Sequence, residues 1–261
     1  MGIEPNEEKI NYEFLYYLIL EKGLYKIADT STIPQLNNKH IEPLLVVLPN
    51  VSEQKRIAQV LSTWDKAIEL KEKLIEQKKE QKKGLMQRLL TGKVRLPGFE
   101  GEWEEVTLGE ISEISTGNKD NKDKDDNGLY PFFVRSEKIE RINSYSYDGE
   151  AILIPGDGRI GQIYHYINGK FDYHQRVYKI SDFSNRCKGK FIYYYLQQFF
   201  LKEAMKYTAK ATVDSLRLPM LTEMKIKLPS IDEQSEIVFL MDRVERNIEL
   251  LEKELEALKQ Q

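Results

Sequence analysis

Ten residues from Leu48 to Ile57, Leu-Pro-Asn-Val-Ser-Glu-Gln-Lys-Arg-Ile, return 180 positions later, from Leu228 to Ile237, as Leu-Pro-Ser-Ile-Asp-Glu-Gln-Ser-Glu-Ile. The same shift carries Ile68-Glu69-Leu70 onto Ile248-Glu249-Leu250 and Leu36 onto Leu216. A repeat without gaps over this distance keeps the same residues on the same faces of the same elements, so it requires two copies of one structural unit. Tyr16-Tyr17-Leu18 aligns with Tyr194-Tyr195-Leu196 at a shift of 178, which predicts a two-residue difference in a connecting loop. No counterpart of residues 103 to about 185 lies ahead of Met1, so residues 1–50 read as the carboxy-terminal remnant of a first domain.

Each copy opens a helix. Asn50-Val51-Ser52-Glu53 and Ser230-Ile231-Asp232-Glu233 fit a capping box, in which the first side chain accepts from a backbone N–H three residues on and the Glu reaches back. Beyond the second start, Ile237, Met241, Val244, Ile248, Leu251, Leu255 and Leu258 step alternately by four and three, the period of a coiled-coil seam. Ile57, Leu61, Trp64, Ile68 and Ile75 keep that register in the first copy, where Lys71 and Lys78 interrupt it. Residues 51–95 hold 12 Lys and Arg against 6 Asp and Glu, whereas residues 231–261 hold 4 against 9. A basic and an acidic helix attract, so the two are predicted to pack on each other. At about 1.5 Å per residue they run roughly 45 to 60 Å, long enough for a spacer.

Between the helices the pattern changes. Gly84, Gly92, Pro97, Gly98 and Gly101 mark a helix end and a linker, and a new domain starts near Trp103. Short apolar and aromatic runs at 129–134, 151–155, 162–167 and 176–180 read as strands, separated by turns at Asn127-Gly128, Asp148-Gly149 and Asn168-Gly169. A helix is predicted over 190–207. The fold class is therefore α+β, and the segments are a remnant over 1–50, a first long helix over 51–95, a complete and mostly β domain over 96–229, and a second long helix over 230–261.

Several chemistries are poorly supported. One cysteine, Cys187, cannot form an internal disulfide, and His40, His165 and His174 lack the spacing of metal ligands. No apolar run approaches a membrane span and Met1-Gly2-Ile3-Glu4-Pro5 is no signal peptide, so the chain reads as cytoplasmic. Gly156-Asp157-Gly158-Arg159-Ile160-Gly161 matches a dinucleotide fingerprint, but Gln162 to Ile167 reads as a strand where that motif needs a helix. Asp148, Glu150 and Asp157 sit beside turns, where carboxylates cap backbone amides, and Cys187 reads as an incidental thiol in a connecting loop. Asn118 to Asn127 reads as a solvated loop. No catalytic residue and no metal ligand is assigned.

Three polar clusters suit recognition better than catalysis. They are Arg135, Ser136 and Lys138; Tyr173, His174, Gln175 and Arg176; and Lys210, Thr212 and Arg217. Arg, Gln, His and Ser are the side chains that contact guanine, adenine and phosphate.

The ordered set of Trp103-Glu104-Glu105-Val106-Thr107-Leu108-Gly109-Glu110-Ile111, Thr116-Gly117, Gly158-Arg159-Ile160-Gly161 and a twice-used Leu-Pro-x-x-x-Glu-Gln before a long helix resembles the specificity subunit of type I restriction-modification systems. The resemblance covers essentially the whole chain. It implies target-recognition domains, each reading half of a split site in double-stranded DNA, and an antiparallel helix pair that spaces them and holds adenine methyltransferase subunits. It adds Arg159 to the candidate DNA contacts and makes Ile57, Leu61, Trp64, Ile68, Ile237, Met241, Val244, Ile248, Leu251 and Leu255 the helix-pair and partner interface. It implies no cofactor on this chain, with S-adenosylmethionine, ATP and Mg²⁺ belonging to methyltransferase and restriction subunits. The incomplete amino end implies self-association or complementation by another specificity fragment. The competing expectation is a coiled-coil assembly regulator that binds methyltransferase without reading DNA.

Overall fold

The computed structural model describes residues 3–29, 36–207 and 215–260. Seven α-helices and eight strands are found among them, in chain order α1 (Tyr12–Lys22), α2 (Asn38–Ile41), α3 (Val51–Leu89), β1 (Glu104–Thr107), α4 (Leu108–Ile111), β2 (Glu113–Thr116), β3 (Tyr130–Phe133), β4 (Glu140–Ile142), β5 (Tyr147–Pro155), β6 (His165–Tyr173), β7 (Val177–Ser181), α5 (Gly189–Ala204), α6 (Leu218–Thr222), β8 (Lys225–Leu228) and α7 (Ile231–Lys259). By compactness the chain divides into one unit of residues 1–77 and 249–261 and another of residues 78–248, the division falling inside both long helices.

The larger unit holds all eight strands. Six form a sheet in the order β2-β7-β5-β6-β3-β4, antiparallel except where β3 runs parallel to β6, and β1 pairs with β8 in a separate ribbon. Strand alternation divides the core in two. Ile152, Ile154 and Ile180 turn toward α5, while Ala151, Leu153 and Val177 pack with Phe133, Phe171 and Tyr173. The first group joins Phe191, Tyr194 and Leu196 of α5, Met86, Leu89 and Leu90 of α3, and Ile237 and Met241 of α7 in one buried cluster. Each of these large side chains gains about 1.5–3 kcal/mol from burial, so this cluster fastens both long helices to the sheet.

Several local expectations change. The Asp148-Gly149 and Asn168-Gly169 pairs are not turns, because Gly149 and Gly169 face each other in the middle of β5 and β6 with φ of 157° and 143°. Backbone angles that only glycine adopts easily let the hairpin pass through a conformation other residues resist. The strand expected from Gln162 begins at His165, since the preceding residues complete the hairpin turn. Helix α3 runs through Gly84 to Leu89, where an added methyl group would meet nothing, so the glycine marks no helix end.

The two long helices are antiparallel. Lys71 pairs with Glu254, Glu72 with Lys259 and Lys82 with Glu245, so partners on α7 descend as those on α3 rise. Charge complementarity therefore does what the composition requires, and Lys71, a break in the apolar seam, becomes a cross-helix contact. All seven seam positions of α7 are buried or half-buried. On α3, Ile57, Leu61 and Trp64 stay 37, 38 and 41% exposed, whereas Ile68 is half-buried and Ile75 is buried. The apolar side chain buried at this end of α3 is Ala58, next along the helix from Ile57.

The smaller unit contains α1, α2 and the start of α3. Its internal contacts set the register of the repeat. Phe14 of α1 and Phe191 of α5 are both buried, Tyr17 Oη donates to Asp65 at 2.8 Å, and Tyr194 Oη donates to Glu245 at 2.7 Å. Asp65 and Glu245 are 180 apart, but Phe14 and Phe191, like Tyr17 and Tyr194, are 177 apart. The equivalent of Tyr17 is thus Tyr194 rather than Tyr195, one residue from the alignment by identity, because hydrogen bonding and not the Tyr-Tyr-Leu string selects the face.

Candidate nucleic-acid interface

The Glu-Gln pair that begins each long helix does the anchoring on which the rest depends. Gln234 is fully buried, donates to the carbonyls of Arg186 (2.9 Å) and Pro229 (2.8 Å), and accepts from Lys188 N–H (2.9 Å). One amide therefore ties the helix start to the chain entering α5. Gln54 repeats the arrangement with Lys9 O (3.0 Å), Pro49 O (2.7 Å) and Asn11 N–H (2.7 Å). The capping boxes are half realised. Asn50 and Ser230 accept from the N–H of Glu53 and Glu233, but Glu233 sends its carboxylate to Arg95 in a bidentate pair (2.7 Å twice) and to the Trp103 indole (3.2 Å).

On this framework five segments of the larger unit converge on one aspartate. Gly156 N–H donates to Arg176 O (2.7 Å), Leu216 N–H to Gly156 O (2.8 Å), His174 N–H to Phe133 O (2.9 Å) and Gln175 N–H to Lys119 O (2.8 Å). These bonds draw together the ends of β2, β3, β5 and β6 with the chain before α6. Asp157, at the centre, receives Nη1 of Arg135 at 3.3–3.4 Å and Nη1 of Arg176 at 3.3 Å. A concavity of about 460 Å³ opens beside it, lined by Lys124, Val134, Arg135, Ser136, Glu140 and Asp157 among others.

The remaining candidates divide by exposure. Arg135, Ser136, Lys138, Arg159, Gln175, Arg176 and Arg217 are exposed. Arg159 pairs with Glu137 at 3.0 Å and Lys138 with Glu140 at 3.0 Å, so these cations, like Arg135 and Arg176, rest on local carboxylates. Exposed pairs of this kind are worth about 0–1 kcal/mol, little enough to exchange for another anion or a base edge. Tyr173 and His174 were expected to face a ligand and instead are buried, 6 and 4% exposed. Their side chains are in structural use: Tyr173 Oη shares a hydrogen bond with Ser115 at 3.2 Å, and Nδ1 of His174 accepts from the Arg176 N–H at 3.0 Å. Burial, and then the nearby Arg135 charge, lower the His174 pKa, in keeping with a neutral ring that accepts at Nδ1. Lys210 and Thr212 lie outside the described residues.

Sequence reasoning missed the role of Asp157 and the part played by Lys119 and Asp120, which belong to the stretch read as a solvated loop. Gln175 Nε2 donates to Asp120 at 2.9 Å, and Lys119 bridges to His174. The fingerprint glycines serve this turn, and β6 follows them, so no helix terminus is available for a pyrophosphate. Cys187 is buried with its pKa raised by burial, as befits an inert thiol. Among the described residues there is no cluster of metal ligands and no helix long and apolar enough to cross a membrane.

Comparison with known proteins adds the following. Residues 1–79 and 100–260 match the type I restriction modification DNA specificity domain. The EcoDI type I restriction enzyme specificity subunit of Escherichia coli is 33% identical over 61% of this chain and 35% of its own length. The MjaVIII type I specificity subunit of Methanocaldococcus jannaschii is 28% identical over 98% of this chain and 68% of its own. The chain thus matches about a third of the first relative and two thirds of the second. Among solved structures, the S subunit of the type I restriction-modification system of M. genitalium superposes with a TM-score of 0.72 at 20% identity, over 97% of this chain and 71% of that one. An HsdS subunit from Thermoanaerobacter tengcongensis gives 0.51 at 20% identity, over 99% and 69%. The solved structures share the fold of a mixed sheet domain with long helices.

Proposed function

Because the chain belongs to the type I restriction modification DNA specificity domain family, we propose that it is a non-catalytic subunit whose larger unit reads one half-site of a bipartite duplex target through the Asp157 cluster. The observation that carries this reading is the convergence of Arg135 and Arg176 on one carboxylate, with Gln175 and Ser136 exposed beside them. A guanidinium presents a planar fork of donors that fits the O6 and N7 of guanine, and a carboxamide fits the N6 and N7 of adenine. Asp157 prevents the two like charges from driving each other apart before DNA arrives. On docking, each arginine exchanges a weak exposed pair for a base edge or phosphate, and Arg159 and Lys138 do the same with the backbone.

In this reading the chemistry resides in partners of a cytoplasmic complex. Methyltransferase subunits, held by the helix pair, use S-adenosylmethionine on an adenine turned out of the duplex, and restriction subunits use ATP and Mg²⁺. Association with another specificity chain supplies a second reading domain.

The test is to produce the chain with its methyltransferase subunit and map methylated adenines in cellular DNA, for the native protein and for Arg135→Ala and Arg176→Ala. A defined methylated motif that is lost or relaxed in either variant is the expected result. A stable complex that methylates no defined motif, or a motif identical in all three, would overturn the reading.

A further inference from the structure

Gln175 and Arg176 occupy the two central positions of the tight turn between β6 and β7, which Val177 N–H closes on His174 O at 2.9 Å. Both are exposed, so the turn carries two adjacent polar side chains out beside Asp157. They are held differently. Arg176 meets Asp157 through Nη1 at 3.3 Å, a single long contact. Gln175 is held twice by one short segment: its backbone N–H donates to Lys119 O at 2.8 Å and its side-chain Nε2 to Asp120 Oδ2 at 2.9 Å. That segment is itself braced, because Asp123 Oδ2 accepts the Asp120 N–H at 2.7 Å and Lys119 bridges to His174. An exposed glutamine ordinarily gives up rotamer freedom when it binds, and here that ordering precedes the ligand.

The partner also decides which way the amide faces. A carboxylate accepts and does not donate, so Nε2 is turned to Asp120, and Oε1 with the second Nε2 hydrogen remains for a ligand. An acceptor and a donor side by side match one base edge of the major groove, that of adenine, whose N6 donates and whose N7 accepts. Guanine presents two acceptors there and would set its O6 against Oε1. Cytosine presents only the N4 donor, and thymine only the O4 acceptor.

We propose that Gln175 reads an adenine of the half-site and that Asp120 is the positioning residue that fixes its amide for that base. The assignment rests on the larger unit reading duplex DNA at the Asp157 cluster. A carboxamide free to turn over can offer its nitrogen to the O6 of guanine or the O4 of thymine. Asp120 removes that choice, and the loop of residues 118–127 thereby contributes to specificity through a residue that touches no base.

The test uses the full chain in complex with its methyltransferase subunit. The methylated motif is mapped first, and duplexes with single base-pair changes then compete with it for the complex. In Asp120→Asn the new amide can donate to Oε1 and let Gln175 turn its nitrogen outward. One A·T position is expected to lose about tenfold of its preference over G·C, with the other positions and the melting temperature unchanged. Asp120→Asn combined with Gln175→Glu leaves an acceptor without a donor, and is expected to move the preference at that position from adenine to cytosine. Native preference at every position in Asp120→Asn overturns the proposal. So does a loss spread equally over all positions, which would make Asp120 a support of the loop and nothing more. A complex that methylates no defined motif overturns the reading beneath the proposal, whereas a motif altered by Arg135→Ala or Arg176→Ala but indifferent to Asp120→Asn overturns this assignment alone.

Discussion

Gln54 and Gln234 make the same three hydrogen bonds in different surroundings. In the larger unit the neighbouring Glu233 is sealed under Arg95 and Trp103 and the helix behind it lies in a dense core. In the smaller unit Glu53 is exposed and the helix behind it is half bare. The clamp therefore needs only the helix start and the chain that enters the preceding helix, and the difference between the two units comes from a segment that covers one and has no equivalent among the described residues of the other. A repeated motif can keep its local geometry while its stability is set by what packs over it.

Removing the clamps one at a time separates the contribution of each setting. Gln234→Ala strips partners from Lys188 N–H and two carbonyls in a buried setting, at about 1–3 kcal/mol for each group left unsatisfied. It is expected to cost several kcal/mol, read as lost amide protection across α5 and α7. Gln54 is equally buried and makes the same bonds, but the helix behind it packs less densely, so Gln54→Ala is expected to cost less, about 1–2 kcal/mol, confined to α1 and the start of α3. Equal losses would show that the covering segment contributes nothing.

Glu233→Ala and Glu53→Ala extend the test to the position beside the clamp. The first leaves Arg95 and Trp103 without their carboxylate and is expected to lower the melting temperature clearly; the second should leave it unchanged within measurement scatter.

Within the larger unit, Arg135→Ala and Arg176→Ala are each expected to weaken specific DNA binding by about 1–3 kcal/mol with little change in melting. Asp157→Asn is expected to raise nonspecific binding and lower the specific-to-nonspecific ratio, measured by competition with unrelated duplex. If each arginine variant weakened all sequences equally, the two residues would be phosphate contacts and not readers.

The smallest effect concerns the helix pair. Burial alone would raise the Glu245 carboxyl, but hydrogen bonds from Lys82 and Tyr194 more than offset it, so its pKa lies below the ordinary 4.5. A carboxylate depressed on folding contributes stability that is fully present above its unfolded value and is lost as pH falls through the folded one. Glu245→Gln should therefore flatten the acid limb of the unfolding curve below about pH 4.5, by about 1 kcal/mol or less given its partial exposure. A steeper limb in the variant would show that the pair does not carry this dependence.

Much of this architecture was legible beforehand because it rests on periodicity and charge. The seam from Ile237 to Leu258, the cross-helix attraction and the doubled helix start follow from spacing and sign alone. The misreadings have one cause, that a string of residues does not state its neighbours. Asp148-Gly149 and Asn168-Gly169 look like turns until each is found opposite the other across a hairpin. Tyr173 and His174 look like ligand contacts until the sheet closes over them, and Tyr17 finds its true mate only through Asp65.

Two copies of a helix start, oppositely charged helices and a strand-rich domain between them can all be read from the order of residues, because these depend on separations along the chain. It took the folded chain to show that Asp157 gathers Arg135 and Arg176, that Glu233 turns from its cap to Arg95, and that Ile57 and Leu61 stay exposed while Ile237 and Met241 are sealed. Each of these depends on which segments meet in space, and burial, not residue type, then fixes whether a charge or an apolar side chain is sealed or available.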